Sequence, residues 1–511
     1  MNGRVVRLRP VVHASPAPAG LHVRGWASSF TLKGGSGVWT LWQRLAPVLT
    51  EGVADLAVPP GTPAPAAAAL ELLFAQLREH DMLVEVPAEW PDAPPDDIAR
   101  WLESVAPDPQ QTWERLRAAQ IVVSGDGPAA AAAVRAITAT GLTALPEPGR
   151  GLVLTAGEHA VAAGCSADAG FVVHPGLLAN VLLDAVAVPA RLGIDASEPP
   201  EVLAALVGSA VAHRLLCAIG GLPDPAGEFI THSDEAPADA PQHAVLVARL
   251  DPLRAGYHPW IPAARPSAPA ADALRAVSAL TDPELGPVLV PSPGALPQLP
   301  ANIVRAGNVL GVGTTLDGAR IDATARALSR PGVVAGLDRA HALGNALRLA
   351  LHARVAELPA LTLSEVDWSS DATARRWWKA LTLRFGVPAT LQVTRLAETV
   401  VHAEIRDGER VLAWAVEATP ADAVAFAALA ATGAVQAGES GELWLSGAAP
   451  VPSGADVSWV TRDWHWPADV RERESTLQAE LFGLLELAAP PVLADAEGYV
   501  RCPVPVLEGA R

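Results

Sequence analysis

The chain has 511 residues, half of them hydrophobic, and 37 Lys and Arg stand against 55 Asp and Glu for a formal net charge of −18. That length allows roughly two to four domains with ample core, and the acidic balance disfavours nonspecific nucleic-acid binding by the chain as a whole. No apolar run of membrane-spanning length and no signal peptide stand out, and Cys165, Cys217 and Cys502 form no Cys-x-x-Cys pair, so the reading is a soluble cytoplasmic protein without a disulfide framework, structural zinc or other cofactor.

In chain order, residues 4–12, 21–26 and 28–33 read as three short strands, punctuated by residues 16–20 (Pro-Ala-Pro-Ala-Gly) and 34–37 (Gly-Gly-Ser-Gly). Residues 38–49 and 63–80 read as helices, the second with Leu70, Leu73, Phe74 and Leu77 at helical spacing, and residues 82–86 close the unit as a strand. Strands followed by helices make a winged helix-turn-helix whose third strand is an edge, a place where a peptide can add a strand.

This order resembles a RiPP precursor peptide recognition element of the PqqD-like kind. The resemblance implies that residues 28–33 and the helix carrying residues 70–78 grip the leader of a ribosomally made peptide. Phe30, Leu32, Leu73, Phe74 and Leu77 would offer apolar pockets, and Lys33 and Arg78 would meet acidic leader residues. An ordinary winged helix for DNA is the alternative.

Past the proline-rich residues 87–95, a helix over 96–119 leads into residues 120–137, an apolar strand, a Gly125-x-Gly127 turn and an Ala-rich helix. This is how a doubly wound nucleotide-binding fold opens, with Glu147 placed for a ribose hydroxyl. Further strands are expected over 141–145, 151–155 and 170–174. Pro128 removes a backbone donor where a phosphate would want one, so a Rossmann-like turn without nucleotide is the favoured reading. Residues 201–220 read as a helix, with His213 and Cys217 as a core-lining pair.

A recognition element followed by residues 122–128 (Val-Val-Ser-Gly-Asp-Gly-Pro) resembles the ThiF-like, ubiquitin-activating-type partner proteins of azoline-forming cyclodehydratases. That family typically carries zinc cysteines near a His-Pro. Here His174-Pro175 and His258-Pro259 stand without them, so the resemblance implies a scaffold that has lost its metal.

After a Pro/Ala-rich linker over 263–271, residues 279–288, 296–300 and 311–328 resemble the opening of a YcaO domain, whose members use ATP to activate a backbone amide and hold magnesium with helix-borne glutamates. No Glu stands in residues 323–330, where that pattern expects one, and residues 418–434 are again poor in carboxylates, so this region reads as a degenerate YcaO-like domain. Residues 375–379 (Arg-Arg-Trp-Trp-Lys) read as a half-buried amphipathic helix rather than a base-stacking platform, and Trp459, Trp464 and Trp466 as a core plug rather than a docking surface. The histidines show neither H-E-x-x-H nor a triad signature.

The expected architecture is therefore α/β and multidomain: a recognition element over 1–88, a ThiF-like Rossmann-type domain over 89–265 and a degenerate α+β YcaO-like domain over 272–511. The expected function is a noncatalytic, precursor-peptide-binding subunit of a cyclodehydratase. Its expected partners are the leader, a separate YcaO subunit, an azoline dehydrogenase and a second copy of itself, with neither nucleic acid nor membrane. The rival is a stand-alone adenylating enzyme or NAD-type oxidoreductase using Gly125, Gly127 and Glu147.

Overall fold

The computed structural model describes residues 3–26, 28–90, 92–195, 197–228, 243–262, 273–451, 465–487, 489–496 and 498–505. The 263–271 linker and Trp459 and Trp464 lie outside them. The chain forms two compact units: the first takes in described residues up to 185, 194–228 and 246–256, and the second 186–193, 243–245 and those from 257 onward.

The first unit begins with β1 (Arg4–Leu8), β2 (His13–Ala17), β3 (Gly20–Arg24), β4 (Ser29–Lys33), α1 (Ser36–Glu51), α2 (Ala64–Glu79) and β5 (Leu83–Pro87). Strands β2, β3 and β4 form one antiparallel sheet in that order, and β1 pairs with β5. The sequence missed β2, because Pro16 and Pro18 read as a break. Pro16 is tolerated because β2 is an edge strand, where one missing N–H costs no ladder bond. Leu21, Val23, Phe30 and Leu32 alternate inward from the sheet and meet Leu73 and Leu77 of α2 and Trp42 and Leu49 of α1 in one core.

Two arginines of this module reach the next pair of helices. Buried Arg9 donates to the carbonyls of Glu103 and Ala106 and pairs with Asp81, and Arg7 pairs with Glu103 at 3.0 Å. Glu103 and Ala106 belong to or directly succeed α3 (Asp96–Val105), which precedes α4 (Pro109–Ala118). The expected single helix over 96–119 thus breaks in two, with Asp108 capping α4 by accepting from the Gln111 amide.

Next come β6 (Ile121–Ser124), α5 (Pro128–Ala139), β7 (Ala144–Glu147), β8 (Leu152–Ala156), β9 (His159–Cys165), β10 (Ala169–Val172), α6 (Leu178–Leu192), α7 (Glu201–Gly220), β11 (Ala244–Arg249) and β12 (Arg254–Pro259). The sheet order is β12-β11-β10-β9-β8-β6-β7. Strands β6 and β7 run parallel, joined through α5; β6/β8, β8/β9, β9/β10 and β10/β11 are antiparallel. The doubly wound continuation expected from residues 120–137 therefore stops after one β-α-β unit. Strands β9, rich in Ala and Gly, β11 and β12 are the ones the sequence did not show.

Helix α7 is long and apolar enough to cross a membrane by length and composition, which the sequence reading overlooked. It packs against α5 and the sheet, and most of its residues are buried. Buried Arg214 on it is held by both Asp224 oxygens at 2.9 and 3.0 Å and by the carbonyls of Val172 and Val173. Gly208 lets α7 approach α5: a Cβ there would stand 2.4 Å from the Ala129 carbonyl oxygen.

The second unit contains α8 (Ala273–Leu280), β13 (Asn302–Ala306), β14 (Val309–Gly313), α9 (Leu316–Leu328), β15 (Val333–Gly336), α10 (Arg339–His352), β16 (Leu361–Thr362), α11 (Ala372–Lys379), β17 (Ala389–Ala397), β18 (Val400–Asp407), β19 (Arg410–Glu417), α12 (Pro420–Ala437), β20 (Leu443–Trp444), α13 (His465–Glu472), α14 (Glu474–Leu484), β21 (Ala494–Ala496) and β22 (Tyr499–Pro503). The β17-β18-β19 meander carries α12 on one face, together with α11. Apolar all round, α12 is buried almost throughout, as such a helix must be. Trp377 of α11 is buried and Trp378 half-buried in the same core, which fits the amphipathic reading of residues 375–379.

Candidate functional site

Strand β4 is the end strand of its sheet. Its backbone polarity comes from the register. Gly25 N donates to Ser28 O at 2.9 Å and Gly34 N to Ala19 O at 2.9 Å, so the pairs that exchange hydrogen bonds are 25/28, 23/30, 21/32 and 19/34. Ser29, Thr31 and Lys33 consequently turn their N–H and C=O groups away from β3, toward the free edge. Their side chains are exposed, while Phe30 and Leu32 point into the core.

The start of β4 is fastened to the end of α2. Ser28 Oγ donates to the His80 carbonyl at 3.1 Å, and the Phe30 ring stacks on His80 with centroids 5.1 Å apart. The expected strand and helix are therefore neighbours, but their apolar residues have another task. Phe30, Leu32, Leu73 and Leu77 fill the module's core, and Phe74 is also buried. A helix this small needs its i, i+3, i+4, i+7 stripe for its own sheet, so these five side chains form the floor beneath the edge and not open pockets. Lys33 and Arg78 are exposed, with no ion-pair partner among the described residues.

The glycine turn between β6 and α5 has a different character. Gly125 (φ 137°) donates its amide to the Glu147 carbonyl at 2.9 Å, and a Cβ on it would lie 2.9 Å from Gly151 O. The segment leading from β7 to β8 thus lies against the turn where a pyrophosphate would rest. Gly127 caps α5 without a side-chain bond, Pro128 comes next, and the Glu147 side chain is exposed.

Neither His-Pro pair marks a metal centre among the described residues. His174 contacts Arg214 at 3.2 Å, and His258 bonds Asp282 at 2.9 Å. Cys217 is buried, its thiol pushed up to about 12 chiefly by burial, whereas His213 on the same helix is exposed and lies beside Trp101. The expected core-lining pair is split: only the cysteine lines the core.

In the second unit the turn from β14 into α9 opens on a cavity of about 90 Å³, lined by Thr314, Thr315, Asp322, His341, Asn345 and Ser446 among others. Thr315 caps α9 by accepting from the Gly318 amide at 3.0 Å. His341 Nδ1 accepts from the Leu337 amide at 3.2 Å, and burial pushes this imidazole down to about 4. The buried carboxylates absent from residues 323–330 arise on β19 and α14. Glu474 takes both Arg348 Nη atoms at 2.7 Å, and Glu417 accepts from Nη2 at 3.0 Å and from the Gly447 amide at 2.7 Å. Burial raises Glu417 to about 7, against the pull of Arg348. Both carboxylates are thus engaged by the Arg348 guanidinium.

No family model matches the chain, and no curated protein matches it in sequence. Among solved structures, the chain is similar to a heterocyclase in complex with substrate and cofactor (10% identity, 98% of this chain and 94% of that one, TM-score 0.47). It is also similar to the heterocyclase TruD (12% identity, 98% and 94%, TM-score 0.43) and to E. coli MccB with AMPCPP and selenomethionine MccA (10% identity, 50% and 96%, TM-score 0.32). At such identities and scores these likenesses fix neither fold nor function.

Proposed function

We propose that the chain captures an extended peptide as an added strand on β4, and that this peptide is the leader of a ribosomally made precursor whose Cys, Ser and Thr residues are then presented to a separate ATP-dependent YcaO subunit. The observation that supports the first half is the free edge: Ser29, Thr31 and Lys33 offer unpaired backbone groups on a strand anchored to the end of α2. Main-chain pairing supplies affinity in such complexes, and Lys33 and Arg78 would favour an acidic leader. The second half rests on the order of the recognition element, the β6–α5–β7 unit and the glutamate-free residues 323–330. Tethering the leader raises the effective concentration of each core residue at the partner's active site. A homodimer and an azoline dehydrogenase are further partners on this reading.

The test is fluorescence anisotropy of labelled leader peptides with the full chain. Thr31→Pro removes an outward amide and no ladder bond, so the variant should fold while losing most of its binding. Lys33→Glu should weaken acidic leaders selectively. Binding that Thr31→Pro leaves intact, with circular dichroism unchanged, would exclude this edge, and salt-sensitive DNA binding by the same module would replace the proposal with the winged-helix alternative.

A further inference from the structure

Helix α10 ends at His352, and the meander brings His402 and Glu404 of β18 beside it. His402 and Glu404 are two apart on one strand and so share a face. A ligand atom of each of the three side chains lies within 4.8 Å of those of the other two, and His352 Nδ1 stands 3.0 Å from His402 Nε2. Nitrogens bound to one tetrahedral zinc at about 2.0–2.1 Å lie roughly 3.3 Å apart, so the imidazole pair is already near ligand spacing.

The surroundings orient these groups. Glu442 sits 3.2 Å from His352 Nε2, which places the proton on that nitrogen and leaves the Nδ1 lone pair facing His402. Trp414 stacks on the His352 ring at 4.0 Å and 5°. Arg406 engages one oxygen of Glu404, leaving the other available. Glu442 also lines an open pocket of about 400 Å³.

We propose that His352, His402 and Glu404 form a binding site for one divalent transition-metal ion, with Glu442 holding His352 in the ligating tautomer. Two imidazoles and one carboxylate suit zinc, cobalt or nickel over magnesium or calcium, which prefer all-oxygen sets. The ion would staple α10 to β18 and leave one coordination position for water or an anion. The three ligands come from positions 352, 402 and 404, a spacing no short motif covers. The site stands independently of the peptide reading.

The experiment uses the full chain stripped with a chelator and titrated with Zn²⁺ by calorimetry and with Co²⁺ by visible absorption. Wild type should take up one ion per chain, with the d–d bands of low-coordinate Co²⁺, and excess Mg²⁺ should leave them unchanged. His352→Phe keeps a ring on Trp414 and should abolish binding; Glu404→Gln should weaken it at least tenfold, and Glu442→Gln by about tenfold through the lost support of His352. Should His352→Phe fail to fold, the two glutamine variants decide. No stoichiometric uptake by folded wild type, or uptake that Glu404→Gln and Glu442→Gln both retain in full, would overturn the site.

Discussion

The turns from β6 into α5 and from β14 into α9 look alike in sequence: apolar strand, paired glycines, then a helix. The first is closed, because the chain leaving β7 returns across it and brings Gly151 O to 2.9 Å from where a Cβ of Gly125 would be. The second is open, because β14 hands over to α9 beside α10, whose His341 and Asn345 line the space left between them. A strand-glycine-helix start becomes a site only when the next segment stays off it. The covering strand differs: β8, which follows the first turn, runs back antiparallel beside β6, whereas the antiparallel neighbour of β14 is β13, which precedes the second turn, and a Cβ on Gly313 would meet the start of α9.

The open turn depends on its far wall, and the sharpest way to break the contrast is through Arg348. Its guanidinium holds Glu417 and Glu474 inside the protein, one turn along α10 from Asn345. Arg348→Met leaves two buried carboxylates facing each other. The expected loss is roughly 3–5 kcal/mol, the range for a buried pair stripped of one partner. Chemical denaturation should show this as a lower midpoint, and a midpoint that hardly moves would mean the network relaxes into solvent. Replacing both glutamates with Gln in the Arg348→Met background should recover much of the loss, because the uncompensated charges are gone.

Protonation of His341 sharpens the contrast by a smaller amount. The unfolded imidazole titrates near its ordinary value of 6.5 and the folded one at about 4, with burial as the main cause, Asp338 opposing it and Arg471, Arg348 and Arg326 adding to it. The native state therefore binds fewer protons between those values. Stability present above pH 6.5 is lost as pH falls toward 4, by at most about 3 kcal/mol. Protonating Nδ1 also removes the acceptor of the Leu337 amide. His341→Asn should flatten that part of the stability-versus-pH curve. An unchanged acid limb would show that another group carries it.

Much of this layout was legible. Alternation at Phe30 and Leu32 and the stripe Leu70, Leu73, Phe74, Leu77 gave the right strand and helix, because burial imposes those periods. Which partner the buried face meets has no such signature, so core residues passed for pockets. Direction was equally silent: short, mostly apolar strands such as Ile121–Ser124 and Leu152–Ala156 read the same parallel or antiparallel. The Ala-rich β9 has a single branched residue, Val161, to mark it as a strand. The His352, His402 and Glu404 cluster is assembled by the meander, across fifty residues of chain, and only the two-residue spacing of His402 and Glu404 hinted at it.

The smallest expected effect tests the closed turn itself. Glu147 has an exposed side chain, and only its backbone carbonyl meets Gly125. Glu147→Ala should then change stability by less than about 0.5 kcal/mol, as at ordinary surface positions. Gly125→Ala is the informative partner, since φ 137° and the crowding by Gly151 strain any side chain there, at a cost on the order of 1–3 kcal/mol. In a closed turn, neither substitution alters the melting temperature shift on adding ATP or NAD, because this turn contributes no nucleotide contact. A ligand-dependent shift present in wild type and lost in Glu147→Ala would require the 147–151 segment to move off Gly125. The two glycine turns would then differ in when they open, and the adenylating or NAD-dependent reading would regain its site.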